Sequence, residues 1–121
     1  MTHRLFVPAA AAVFALASSA AFAHAQLQSA NPPVGGTVAA PTEIRLTFSE
    51  GVEPKFSGVT LTSDAGEAEP LGPSAVDPKD NKVLVVKIAK PLAPGVYKVT
   101  WHAVSVDTHH TQGDFSFTVK P

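Results

Sequence analysis

Val96-Tyr97-Lys98-Val99-Thr100-Trp101-His102-Ala103-Val104-Ser105-Val106 alternates along most of its length. Tyr97, Val99, Trp101 and Ala103 fall on one side, and Lys98, Thr100 and His102 on the other. Successive side chains of an extended chain point to opposite faces, so this pattern predicts a strand with one buried and one wetted face. The same two-residue period recurs elsewhere. Ile44, Leu46 and Phe48 share a face in Glu43–Ser49. Val59 and Leu61 open a strand in Gly58–Ser63. Leu84, Val86 and Ile88 share a face in Lys82–Ile88, with Val83 and Val85 opposite. Phe115, Phe117 and Val119 alternate with Asp114, Ser116 and Thr118, and Gln26–Ala30 makes a short first strand with Leu27 inward.

Pro and Gly punctuate the chain from Pro32 to Gly95 and leave no stretch with a convincing helical period. Six or seven one-sided strands in under 100 residues predict two antiparallel sheets packed face to face. The expected class is all-β, a sandwich or barrel. Trp101, Tyr97, Phe48, Phe115 and Phe117 are the expected core aromatics. Asp64–Asn81 is acidic, rich in Pro and Gly and without a clear period; it reads as a long loop or short edge elements. The chain shows no internal repeat and no second domain.

The first residues stand apart. Thr2-His3-Arg4 is weakly basic, Leu5–Ala20 is almost wholly Ala, Val, Leu and Phe, and Ala21-Phe22-Ala23 places small residues where a signal peptidase reads them. We read residues 1–23 as a secretory signal peptide and 24–121 as the domain. The run is Ala-rich, contains Pro8, and falls short of the about 20 strongly apolar residues a membrane-spanning helix needs. Cleavage after Ala23 makes His24 the terminus; Ala23-His24-Ala25 also fits the rule, and cleavage after Ala25 leaves Gln26. The mature chain then keeps eight basic and ten acidic groups, a net of −2, because Arg4 is the one charge lost with the leader. No basic tract remains, which argues against nucleic acid or an anionic membrane as partner, and no second apolar run supports stable membrane insertion. Cysteine is absent, so a small exported domain must be held by its core or helped by a metal.

Three chemistry-bearing side chains, Asp107, His109 and His110, lie within four residues of one another. If the strand from Val96 continues, Asp107 and His109 project together, and Thr108 and His110 the other way. A carboxylate oxygen and an imidazole nitrogen on one side of a rigid strand are half of a metal site. A terminal His24 supplies two further nitrogens, its amine and its ring Nδ1. The resulting set of three nitrogens and one oxygen suits Cu(II) in tetragonal geometry; Zn(II) accepts the same atoms tetrahedrally. Cu(I) prefers sulfur, and the only methionine is Met1. His102 reads as a solvated residue of its strand's polar face. A bulge that reversed the faces would exchange His109 for His110. Glu50 and Glu53, beside Gly51 and Pro54, read as exposed loop acids on pattern alone.

The chain also resembles the CopC family of periplasmic copper-binding proteins along nearly its full mature length. The resemblance rests on His24 followed by Ser29-Ala30-Asn31-Pro32-Pro33, on Leu46-Thr47-Phe48-Ser49-Glu50, and on Leu92-Ala93-Pro94-Gly95-Val96-Tyr97-Lys98-Val99-Thr100-Trp101. It is completed by Ser105-Val106-Asp107-Thr108-His109 with Gly113-Asp114-Phe115-Ser116-Phe117. It implies a Greek-key β-sandwich or barrel of about seven strands, Ig-like or cupredoxin-like, and a role as a periplasmic copper carrier or buffer in homeostasis or resistance, not an enzyme. It implies one Cu(II) per chain, held by the His24 amine and ring, Asp107 and His109, with Glu50 and His110 as candidate outer-shell groups. It selects cleavage after Ala23, and it implies an inner-membrane copper transport protein of the CopD type as partner. The Met-rich Cu(I) loop of some members has no counterpart in Asp64–Asn81. Two other readings compete: a histidine-brace copper enzyme resembling a lytic polysaccharide monooxygenase, and a metal-free Ig-like interaction module.

Overall fold

The computed structural model describes residues 25–121. The signal-peptide reading and His24 fall outside the described residues. Nine strands form: β1 (Leu27–Asn31), β2 (Thr37–Val38), β3 (Glu43–Phe48), β4 (Gly58–Ser63), β5 (Ala68–Glu69), β6 (Leu71–Asp77), β7 (Asp80–Ile88), β8 (Gly95–Val104) and β9 (His110–Val119). Helix is limited to one 3-10 turn, Pro54–Phe56, among the described residues. The strands make two sheets, ordered β1-β3-β7-β6 and β2-β9-β8-β4-β5. All pairings are antiparallel except that of the two-residue β2 with the end of β9.

The alternation explains the sandwich. Along β3, Ile44, Leu46 and Phe48 are fully buried, while Glu43, Arg45 and Thr47 are half-buried on the other face. Tyr97, Val99, Trp101 and Ala103 of β8 and Phe115, Phe117 and Val119 of β9 close the core from the second sheet. Full burial of a side chain such as Leu46 or Phe48 contributes about 1.5–3 kcal/mol, and the two faces enclose all five expected core aromatics. Trp101 meets Phe48 edge-on at 5.2 Å, and Tyr97 stacks on Phe117 at 5.8 Å. The Tyr97 hydroxyl keeps a partner at the rim by donating to the Ala93 carbonyl at 2.6 Å.

Asp64–Asn81 is more ordered than its composition suggests. It contains β5, β6 and the beginning of β7. β6 is an edge strand, which is where a strand tolerates the missing N–H of Pro73. It is secured by Arg45 on the outer face, whose guanidinium lies 2.5 Å from Asp77 and 3.3 Å from Glu43.

Candidate metal centre

The pole of the sandwich that matters is the β8–β9 turn. The strand expected over Val96–Val106 ends at Val104, whose partner is His110, so it does not continue to Asp107 and His109. Ser105–His109 form a five-residue loop. It is closed by the Ser105 N–H donating to the His109 carbonyl at 2.9 Å and the Thr108 N–H donating to the Ser105 carbonyl at 2.8 Å. Thr108 sits at φ +72°, a left-handed conformation that costs a β-branched residue of order 1 kcal/mol or more. Its hydroxyl donates to the Asp107 carbonyl. Asp107 and His109 therefore converge through a tight turn, and not through the pleat of a strand.

They do converge. Asp107 Oδ1 lies 3.1 Å from His109 Nδ1, and the two side chains are 44% and 47% exposed, so the pair faces solvent. The Ser105 hydroxyl donates to the same Oδ1. Ser105, joined by His109, holds the Asp107 carboxyl below the usual carboxylate range.

A neighbouring strip of chain supports the loop. Val106 N–H donates to the Gly51 carbonyl at 3.0 Å, Glu53 N–H to the Val104 carbonyl at 2.8 Å, and Val52 bridges to Ser105. Glu50 rides on this strip, half-buried. His110 begins β9, exposed, on the outward-facing phase of that strand. His102 lies on the outer face too. A Cβ on Gly58 would meet the His102 Cε1 at 3.0 Å, so the ring reaches toward β4. Among the described residues no three His, Asp or Glu side chains gather into a metal-binding group; Asp107 and His109 stand as a pair.

The start of the described chain lies at this same pole. Ala25 is fully buried, and its carbonyl accepts the Thr111 hydroxyl at 2.9 Å. Gln26 N–H donates to Ser49 Oγ at 2.9 Å, and Ser49 N–H returns a bond to the Gln26 carbonyl at 2.8 Å. The arm is thus tied to the end of β3 on one sheet and to the second residue of β9 on the other. Pattern alone gives Ser105, Thr111 and Ser49 no role in the site. The phase that buries Trp101 and Ala103 also buries position 105, and that was the available signal.

These features define an all-β sandwich with a histidine–carboxylate pair and a clamped N-terminal arm at one pole. Residues 27–120 match the CopC domain, and the chain belongs to the CopC family. Protein YobA of Escherichia coli strain K12 is 43% identical over 106 residues, spanning 87% of this chain and 86% of its own. A copper resistance protein C of Pseudomonas syringae pv. tomato is 42% identical over 110 residues, spanning 87% of each. Among solved structures, PcoC, a methionine-rich copper resistance protein from Escherichia coli, superposes with a TM-score of 0.74 at 39% identity, covering 80% of this chain and 99% of that one. CopC from Methylosinus trichosporium OB3b gives a TM-score of 0.74 at 30% identity, covering 81% and 95%. Unlike the methionine-rich PcoC, this chain has a single Met, at position 1.

Proposed function

We propose that this chain is a periplasmic Cu(II)-binding protein that carries or buffers copper in homeostasis or resistance, with the metal as cargo. One ion per chain is held by Asp107, His109 and the amine and ring of a terminal His24. The observation that carries this reading is the clamp on Ala25. Its carbonyl is fixed to Thr111, two residues from His109 in the chain, and a residue joined to Ala25 has its Cα within about 3.8 Å of that of Ala25. A clamp on Ala25 next to the β8–β9 turn supports a site to which the residue before Ala25 contributes. The names of the relatives, copper resistance protein C above all, support copper and a binding role over catalysis. Nitrogen and oxygen donors without sulfur favour Cu(II) over Cu(I).

In this reading the side chains do simple chemistry. Asp107 enters already as a carboxylate, and the His24 amine and the two imidazoles bind only when neutral at the ligating nitrogen. A metal displaces any proton held at those nitrogens, so loading releases protons and weakens in acid. A CopD-type membrane protein is the delivery partner this reading expects. The test is the exported protein itself, by N-terminal sequencing and metal analysis. A chain beginning at His24 with one copper is the expected result; a chain beginning at Gln26 and free of copper overturns the proposal.

A further inference from the structure

We infer that Ser105 is a positioning residue of the metal centre: its buried hydroxyl ties the Asp107 carboxylate to the His109 backbone and fixes the separation of the two ligands. The inference rests on the copper reading above, and goes beyond it by assigning a role to a residue that touches no metal in that ligand set.

Ser105 is fully buried. A hydroxyl has one proton to give and two lone pairs to offer. At Ser105 Oγ three groups converge: Asp107 Oδ1, the His109 N–H at 3.2 Å and the His109 carbonyl at 3.4 Å. The single proton goes to the carboxylate, which is both the nearest acceptor and the charged one, and charge-assisted bonds are the stronger kind. A lone pair then receives the His109 N–H. One oxygen thus orients the side chain of one ligand and the backbone of the other. The His109 carbonyl is satisfied separately, by the Ser105 N–H at 2.9 Å.

The sharing of Oδ1 gives the arrangement its consequence. This oxygen faces both the Ser105 hydroxyl and His109 Nδ1, the latter at 3.1 Å. The contact with His109 joins two exposed side chains, whereas the Ser105 hydroxyl is buried. The Ser105 bond does not depend on the state of the ring. It keeps the carboxylate from rotating. The exposed loop, with Thr108 in a left-handed conformation, has this buried anchor on its inner side.

The test compares wild type, Ser105→Ala and Ser105→Thr in the mature chain, each loaded with one equivalent of Cu(II). Affinity is read by chelator competition, the copper signal by electron paramagnetic resonance, and folding by circular dichroism. Outer-shell partners of metal ligands are typically worth about 10–100-fold in affinity. Ser105→Ala is expected to keep the fold, lose affinity by about that factor and give a heterogeneous copper signal, with Ser105→Thr restoring both. A folded Ser105→Ala with wild-type affinity and a single wild-type signal overturns the inference and leaves the copper reading standing. A wild-type chain that gives no protein-bound copper signal overturns both. If Ser105→Ala does not fold, the metal-free wild type answers by proton NMR. A slowly exchanging Ser105 hydroxyl resonance that disappears in Asp107→Ala supports the inference; its absence, or its persistence in that variant, overturns it.

Discussion

Gly113→Ala puts the core packing under a measurable load. Gly113 lies on the inward phase of β9, opposite Trp101. A Cβ there would stand 2.7 Å from Trp101 Cζ2, 3.0 Å from Cε2 and 3.2 Å from Nε1. Carbon atoms rest at about 3.5–4.0 Å, so the indole must withdraw by roughly 0.8 Å or more. It has little room, because its ring already meets Phe48 at 5.2 Å and the residue is buried. Overpacking of this kind costs about 1–3 kcal/mol. Replacing Gly by Ala inside a strand returns about 0.5–1 kcal/mol of backbone entropy. The clash wins, with a net loss of about 1–2 kcal/mol, or a midpoint lowered by about 5–15 °C in a domain of this size. Trp101 is the only tryptophan, so its fluorescence reports both the unfolding transition and any native-state shift of the ring. Gly58→Ala is the control, since its nearest neighbour is the end of the exposed His102 ring at 3.0 Å, which can swing aside; the same backbone term then leaves it unchanged or more stable by up to about 1 kcal/mol. A Gly113→Ala protein with wild-type stability and wild-type emission would refute the packing argument.

Three further outcomes are expected. Asp107→Ala and His109→Ala each lower Cu(II) affinity by more than about 100-fold, beyond the usual cost of an outer-shell contact, while His110→Ala leaves it unchanged; titration calorimetry decides, and a damaging His110→Ala would put His110 in the ligand set instead. Thr111→Val removes the bond to the Ala25 carbonyl, costs about 0.5–1.5 kcal/mol in urea unfolding, and weakens copper binding; unaltered binding would separate the clamp from the site. Asp77 is held below the usual carboxylate range by the Lys79 backbone N–H and by Arg45. Its contribution is therefore complete above the unfolded carboxylate value of about 3.9 and is lost as pH falls through the lower folded value. The stability gap between wild type and Asp77→Asn should be constant from pH 5 upward, as an order-of-magnitude window, and close in stronger acid; a gap that widens on acidification has the wrong sign.

The alternation made the sheets legible. Each buried strand shows its two-residue period in the letters, and Phe48, Tyr97, Trp101, Phe115 and Phe117 are all in the core. β6 was harder to read because an edge strand with Gly72 and Pro73 carries little period. The pairing of Asp107 with His109 was anticipated through the wrong geometry. Alternation ends at Val104, and nothing in the letters announces that Thr108 adopts a positive φ, a conformation that β-branched residues rarely take. Thr111 and Ser49 were illegible for a different reason: each acts on a residue distant in sequence, and such a bond leaves no local pattern. Ser105 lay between these cases. Its phase marked it as buried, but a buried hydroxyl draws attention only once its partners are known.

The central claim is that the metal centre is completed by a free terminal His24 delivered beside Asp107 and His109. Its most direct test is the Cu(II) affinity of two proteins that differ by one residue, the chain beginning at His24 and the same chain with a single glycine placed before it. A sharp loss of affinity is expected in the extended chain, because its terminal amine is displaced and the His24 nitrogen becomes an amide. Equal affinity in the two proteins would contradict it.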